Sequence, residues 1–125
     1  MTSVDIEGLL GRVEKPARYT GGEYNSVYKD KREVEIRFAF AFPDVYEIAM
    51  SHLGLRILYY LLNRRKDTWC ERVFAPWTDM EGFMREKGVP LFALESRDAV
   101  SEFDFLGFTL QYEMGYSNVV NMLSL

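Results

Sequence analysis

The chain has 125 residues, a net charge of −4 and 48% hydrophobic residues, which fits one globular domain rather than a disordered segment. Its acidic balance argues against a general nucleic-acid-binding role, which normally needs a basic surface. One cysteine and one histidine exclude an internal disulfide, a cysteine-rich zinc site and an iron–sulfur cluster held by this chain alone. No apolar run approaches the ~20 residues of a membrane span. The first residues also lack the pattern of a signal peptide, so we expect a cytoplasmic domain.

The first third of the chain predicts a helix, an irregular arm and a strand. Thr2 or Ser3 is a good cap for a short helix over residues 2–11. Residues 12–32 contain turn residues and tyrosines without a period, which predicts an ordered arm. Residues 33–42 alternate and then become wholly apolar, as expected of a strand covered by helices on both faces.

The arm leaves two interpretations open. Its cations Lys15, Arg18 and Lys29 stand among tyrosines, a pattern that suits contact with a phosphate or an RNA backbone. The alternative is an ordered segment that covers a sheet edge, and we favour it.

The clearest helix is predicted over residues 51–63, where apolar or small residues recur at helical spacing. These are Gly54, Ile57, Leu58 and Leu61. Downstream, the pattern predicts a strand over 69–75, a helix over 79–87 closed by Gly88, a short strand over 91–94, a buried strand over 105–110 and a helix from near Ser117.

Alternation of strands and helices indicates a mainly parallel sheet with helices on both faces, a Rossmann-like or flavodoxin-like α/β fold. A doubly wound domain normally adds one more strand and helix. We therefore expect an N-terminal helix and an ordered arm over 1–32 and, over 33–125, an α/β domain truncated before its last strand and helix.

Several side chains receive structural interpretations. Glu33, Glu35 and Arg37 alternate with apolar residues and are expected to face solvent. Cys70 is expected to be a small buried residue, and Trp77 an exposed one at a strand end. The acidic residues Glu95, Asp98, Glu102 and Asp104 predict a solvated loop, and Arg97 within it either pairs with them or binds a phosphate.

Ligands of parallel sheets bind at the carboxyl ends of the strands. After the first strand stand Ser51, His52 and Gly54, where a glycine permits close approach and a helix start offers free N–H groups. His52 is either a ligand or proton donor, or a polar residue at a helix start. Gly54 either admits a ligand or packs its helix against the sheet.

The last predicted strand also ends in small and polar residues. Gly107 and Thr109 are followed by Gln111 and Tyr112, a series that suits the tail of a cofactor beside the first crossover. The alternative is a buried strand in which the Thr109 hydroxyl is satisfied by the backbone.

Five stretches carry a resemblance to a known family. They are KPARYTGGEYNSVYKD (15–30), FAFAFPDVYEIAMSHLGLRILYYLLN (38–63), WCERVFAPWTDME (69–81), PLFALESRDAV (90–100) and FDFLGFTLQYEMGYSNVVNML (103–123). They resemble the amino-terminal part of radical S-adenosylmethionine (SAM) proteins that carry a cobalamin-binding-like domain before the radical barrel. The resemblance implies a domain that holds a corrinoid for a separate catalytic barrel. The [4Fe–4S] cluster and S-adenosylmethionine of the parent enzyme would then belong to that barrel.

The resemblance places the cobalamin-binding residues at two strand ends. They are Ser51, His52, Gly54 and Leu55 after the first strand, and Gly107, Thr109, Gln111 and Tyr112 at the last. The axial-histidine motif D-x-H-x-x-G is not matched, since Met50 and Leu55 occupy its other positions. No metal ligand or catalytic residue is assigned, because the C-x-x-x-C-x-x-C cluster motif of the radical enzymes is not found in this sequence.

Two further functions are weighed against corrinoid binding. A non-binding scaffold would dock the radical SAM barrel through the bulky segment after the first strand or through the arm. An independent small enzyme lacks support, since no paired acid and base or activated nucleophile is visible. The chain alone is therefore expected not to be catalytic.

Overall fold

The computed structural model describes residues 6–13, 15, 18–19, 21, 26–49, 53–109 and 115–125. The elements, in chain order, are α1 Glu7–Leu10, β1 Ile36–Phe42, α2 Tyr46–Ala49, α3 Leu53–Asn63, β2 Thr68–Phe74, α4 Thr78–Lys87, β3 Phe105–Phe108 and α5 Gly115–Ser124. A short 3₁₀ turn, Val100–Glu102, precedes β3. The caps expected at Thr2 or Ser3, and Leu110 of the last predicted strand, lie outside the described residues.

The three strands form one parallel sheet in the order β2–β1–β3. Phe40 of β1 lies beside Arg72 of β2 on one side and beside Gly107 of β3 on the other. A central parallel strand is covered on both faces, which explains why the second half of β1 is continuously apolar. The predicted α/β fold with a parallel sheet of the Rossmann-like or flavodoxin-like type is confirmed.

Helices cover the two faces of the sheet. On one face, Phe40 and Cys70 pack against Leu55 of α3. On the other face, Ala39 and Val73 pack against Met122 of α5. The alternation of side chains along β1 and β2 thus supplies both layers of the core.

A separate apolar cluster joins the first helix to α4. Ile6 and Leu9 of the amino-terminal segment pack against Met80 and Met84 of α4. Helix α4 ends as its sequence predicts, because Gly88 adopts a left-handed conformation with φ 68° that glycine accepts without steric cost. At Gly88 the chain leaves α4 and turns back toward the sheet.

The prediction of a strand over 91–94 is wrong. These residues are buried, but their pairing is limited to a single antiparallel bridge between Phe92 and Ala99. The Leu94 N–H donates to the Arg72 carbonyl at the edge of β2 (2.8 Å), and the chain then turns at Arg97, whose φ is 61°. An apolar run of four residues signals burial equally well in a strand and in an extended edge-covering segment, and here it is the latter.

No helix in the described part of the chain is long and apolar enough to cross a membrane.

Candidate functional site

Helix α3 is oriented by two contacts with the sheet. Leu55 and Tyr59 form its buried stripe. Asn63 lies at the outer edge of β2, where its side chain accepts from the Cys70 N–H (2.8 Å) and donates to the Cys70 carbonyl (3.0 Å). One flank of α3 therefore faces the outer edge of β2, and the opposite flank faces β1 and β3.

The flank of α3 that faces β3 carries Gly54, Leu58 and Leu61, spaced four and three residues apart. Leu58 and Leu61 are 43% and 48% exposed. The sequence pattern through these residues predicted the buried stripe, and that prediction is wrong. Leu55 and Tyr59 are the residues that face the sheet. Leu58 and Leu61 point to one side of them around the helix axis and so form an apolar flank beside the buried stripe.

The sheet surface below this flank is also apolar. Phe105 of β3 stacks on Phe38 of β1, with ring centroids 5.9 Å apart, and Phe105 is 56% exposed. Gly107 lies next along the same face of β3, and a Cβ there would stand 3.1 Å from two ring carbons of Phe38. The glycine is thus required for the Phe38 ring to lie across β3.

We name this surface the α3–β3 trough. Its wall is Gly54, Leu58 and Leu61, and its floor is Phe38, Phe105 and Gly107. Thr109 stands at its carboxyl end, where the Thr109 N–H donates to the Ala41 carbonyl (3.1 Å) and extends the pairing of β3 with β1.

Of the residues predicted to bind the cofactor, Gly54 lies in the first turn of α3, and Gly107 and Thr109 lie on and just after β3, on the face of the sheet that α3 covers. Leu55 belongs to the core beneath α3, where it is 1% exposed. Ser51, His52, Gln111 and Tyr112 lie outside the described residues.

A buried ion network fixes the sheet from the side opposite α3. The Arg37 guanidinium donates to Glu71 Oε2 (2.6 Å) and to Asp98 Oδ2 (2.9 Å). Lys31 adds a second cation to Asp98 (3.1 Å), and the Ser96 N–H donates to Glu71 Oε1 (2.8 Å). Glu71 and Asp98 are almost fully buried. These bonds replace the water that both Glu71 oxygens and Asp98 Oδ2 lose on folding, whereas Asp98 Oδ1 is buried without a hydrogen bond from a described residue.

A second buried pair lies on the α3 side of β2. Arg72 Nε donates to Glu95 Oε2 (2.8 Å), and the Arg72 N–H donates to Glu95 Oε1 (3.0 Å). The Tyr59 hydroxyl also donates to Glu95 Oε2 (2.5 Å). Burial raises the pKa of Glu95 and opposes the lowering effect of Arg72. Burial, and then the Glu95 carboxylate, raise the pKa of Tyr59, which holds that hydroxyl in its donor form.

These networks correct three predictions. Arg37 is buried rather than solvent-facing, and Glu95 and Asp98 are buried rather than part of a solvated loop. Arg97 pairs with Glu7 (2.8 Å). The sequence did not predict the networks because a charged residue in an alternating strand normally marks the solvent-exposed face. The available signal was the close spacing of acidic and basic residues over 71–72 and 95–98.

The arm residues over 26–32 lie against the amino-terminal half of β2 and the end of α3. The Val27 N–H donates to the Tyr59 hydroxyl (2.8 Å), and Trp69 Nε1 donates to the Val27 carbonyl (3.0 Å). Lys29 Nζ donates to the carbonyls of Asn63, Arg65 and Thr68. It thus binds a helix end instead of a phosphate, and Arg18 lies over the Trp77 ring at 5.3 Å.

Cys70 is the buried residue that the sequence predicts. Burial raises the pKa of its thiol to about 12, with the neighbouring carboxylates of Glu95 and Glu71 adding to the shift. The folded chain therefore holds the thiol proton more tightly than the unfolded chain. This contribution to stability is complete below the ordinary thiol pKa near 9 and is lost as the pH rises toward 12.

We expect iodoacetamide at pH 8 to alkylate native Cys70 at least about 100-fold more slowly than the denatured chain, because thiolate formation requires local opening. Mass spectrometry of timed samples, with and without urea, measures both rates. Equal rates would show that the thiol is accessible in the folded chain.

The described ranges contain no group of three or more His, Cys, Asp or Glu side chains that is placed to hold a metal ion. A pocket between Phe74, Met84 and Phe92 has a volume of about 20 Å³, which is room for about one water molecule.

A family model described as the N-terminal part of radical SAM proteins matches residues 54–125. The chain belongs to this family of radical SAM N-terminal domains. In the parent protein such a domain accompanies a radical SAM catalytic domain, which uses a [4Fe–4S] cluster and S-adenosylmethionine. Comparison with curated proteins and with solved structures gives no match.

Proposed function

We propose that this chain is the docking domain of a radical SAM protein and that the α3–β3 trough receives an apolar face of the catalytic domain. The observation that carries the proposal is the exposure of Leu58 and Leu61 of α3 and of Phe105 of β3, which pairs with Phe38 on the face of the sheet that α3 covers. Apolar residues scattered singly over a surface are ordinary, whereas a continuous apolar patch marks an interaction site.

The chemistry of the trough favours a protein surface as its occupant. Its wall and floor are aliphatic, aromatic or glycine, and the nearest polar member is Thr109 at one end. Such a surface gains free energy by excluding water, roughly 25 cal/mol for each Å² of apolar area buried. Packing of leucines and phenylalanines at a domain interface uses this gain directly.

Leu58→Glu tests the proposal in the complete radical SAM protein. We expect Tm to fall by about 2–4 °C, because a carboxylate in a closed apolar interface costs about 1 kcal/mol or more and the complete protein is larger than this domain. In the 125-residue chain alone the same change is expected to leave Tm nearly constant, because Leu58 is already half exposed there. Calorimetry of both proteins gives the comparison.

Tyr60→Glu is the matched control, since Tyr60 lies on the same helix, is 63% exposed and belongs to the other flank. It is expected to leave both proteins unchanged. The proposal is overturned when Leu58→Glu and Tyr60→Glu have the same effect in the complete protein.

A second candidate function is the holding of a corrinoid for the catalytic barrel. What supports it is that Gly54 begins α3 and that Gly107 and Thr109 lie on the same face of the sheet, toward the carboxyl end of β3, where ligands of parallel sheets bind. The apolar wall suits a flat ring system, but the space above Gly107 is filled by the Phe38 ring. A ligand on the floor of the trough therefore requires that ring to rotate.

In this second candidate, the corrinoid would supply a reactive cobalt centre, and the chain would bind and orient it. Gly54 would allow the ligand to approach the first turn of α3, and Thr109 would offer its hydroxyl at the strand end. Ser51, His52, Gln111 and Tyr112 complete the proposed set by their positions in the sequence, and Leu55 would support it from the core.

Reconstitution with hydroxocobalamin, followed by desalting, tests this candidate. A corrinoid site predicts that the wild-type protein retains corrinoid absorbance. It also predicts that Gly54→Trp and Thr109→Trp lose this absorbance while circular dichroism shows an intact fold. Absence of retained absorbance in the complete protein removes the candidate and leaves the docking function standing.

A further inference from the structure

Helix α5 carries an apolar stripe that the described chain does not cover. Tyr116, Val120 and Leu123, spaced four and three residues apart, are 56–68% exposed. Met122 of the same helix is buried against the sheet. The exposed stripe is therefore a second apolar face of α5, separate from the one that anchors the helix.

The direction of this stripe follows from the neighbour of α5. Arg85 of α4 donates to the Asn121 side chain (2.8 Å) and to the Ser124 hydroxyl (2.7 Å). One flank of α5 therefore faces α4, which lies toward β2 because Met84 of α4 packs with Phe92 of the segment along that edge. The exposed stripe occupies the opposite flank and points beyond β3.

The edge of the sheet lies below the stripe. Among the described strands β3 pairs with β1 alone, so no described strand occupies its outer edge. The α3–β3 trough borders the same edge on the other face. An all-parallel sheet is normally buried on both faces, and here both apolar surfaces extend past the last described strand.

The right-handedness of connections between parallel strands also indicates that a further strand would lie beyond β3. The connection from β2 to β3 passes over β1 with α4 on the face where α5 also lies. A right-handed connection through α5 on this face continues in the same direction, away from β1 and past β3.

We propose that the outer edge of β3 accepts a further parallel β-strand from the remainder of the radical SAM protein, and that Tyr116, Val120 and Leu123 of α5 cover that strand. The strand would be apolar on both faces, since it would lie between α5 and the α3–β3 trough. This inference rests on the family membership and on the edge of β3 that no described strand occupies, and it is independent of what occupies the trough.

Hydrogen exchange of the wild-type protein tests the pairing without any substitution. We expect the amides of Leu106 and Phe108 to exchange at least about tenfold more slowly in the complete radical SAM protein than in the 125-residue chain. These amides alternate with the Thr109 N–H that bonds to Ala41, so they would donate to the added strand. Equal exchange rates in the two proteins would overturn the proposal.

Val120→Lys tests the cover, with Ile48→Lys, another exposed apolar position, as the matched control. We expect Val120→Lys to lower Tm of the complete protein by about 2–4 °C and Ile48→Lys to leave it unchanged; equal effects would contradict the proposal. A dimer of the 125-residue chain in light scattering that Val120→Lys dissociates would assign the edge to a second copy instead. We expect Leu58→Glu to leave the slow exchange of Leu106 and Phe108 in the complete protein unchanged, so failure of this proposal is distinguishable from failure of the docking function.

Discussion

Glu71→Gln is expected to lower the free energy of unfolding by about 3–5 kcal/mol, because it leaves the buried Arg37 guanidinium without its nearest counter-charge. The carboxylate accepts from Arg37 at 2.6 Å and from the Ser96 N–H at 2.8 Å, and Glu71 has no exposed surface. An amide retains one acceptor but no charge. Urea unfolding followed by circular dichroism at neutral pH measures the loss.

Glu81→Gln supplies the control for that measurement. Glu81 pairs with Arg85 across one turn of α4 at 3.2 Å, at the surface, and such pairs contribute about 0.3–0.5 kcal/mol. If Glu71→Gln costs no more than Glu81→Gln, the buried network does not hold the sheet and loop together as described.

Arg72→Met is expected to make stability depend strongly on pH. Without the guanidinium, burial is opposed only by the hydrogen bonds from the Tyr59 hydroxyl and from the backbone N–H of residue 72, so the pKa of Glu95 rises further above the ordinary carboxyl value. The folded variant then binds a proton more tightly than the unfolded variant, so its stability is greatest below the ordinary carboxyl pKa and falls as the pH rises. We expect the urea midpoint of the variant to be clearly higher at pH 5 than at pH 8.

The double variant Arg72→Met, Glu95→Leu checks the cause of that dependence. Removing the buried carboxyl removes the group that titrates, so the difference between pH 5 and pH 8 should shrink toward that of the wild type. A pH dependence that persists in the double variant would assign it to another group.

The sheet and its helices were predictable because each rests on local patterns. The apolar run of β1, the strand around Cys70 and the glycine that ends α4 are each determined by a few neighbouring residues in the sequence. The short strand expected over 91–94 was not distinguishable from a buried edge segment, because its pairing depends on a partner more than twenty residues away, at Arg72.

For the candidate site, the sequence predicted its position in the fold but not its shape or lining. Gly54 begins α3, Gly107 and Thr109 lie toward the carboxyl end of β3, and parallel strands bring their carboxyl ends together. Periodicity alone does not show which flank of α3 is buried, because Leu55 and Leu58 differ by less than one turn and both are apolar. The buried charges at Arg37 and Glu71 were hidden for a related reason, since their partners come from distant segments.

Hydroxyl-radical footprinting tests the central claim most directly, because it reports side-chain exposure in the unmodified protein. The docking function predicts that Leu58, Leu61 and Phe105 are oxidised in the 125-residue chain and protected in the complete radical SAM protein, while Tyr60 stays reactive in both. Equal oxidation of the trough residues in the two proteins would contradict the claim that the α3–β3 trough is where the catalytic domain docks.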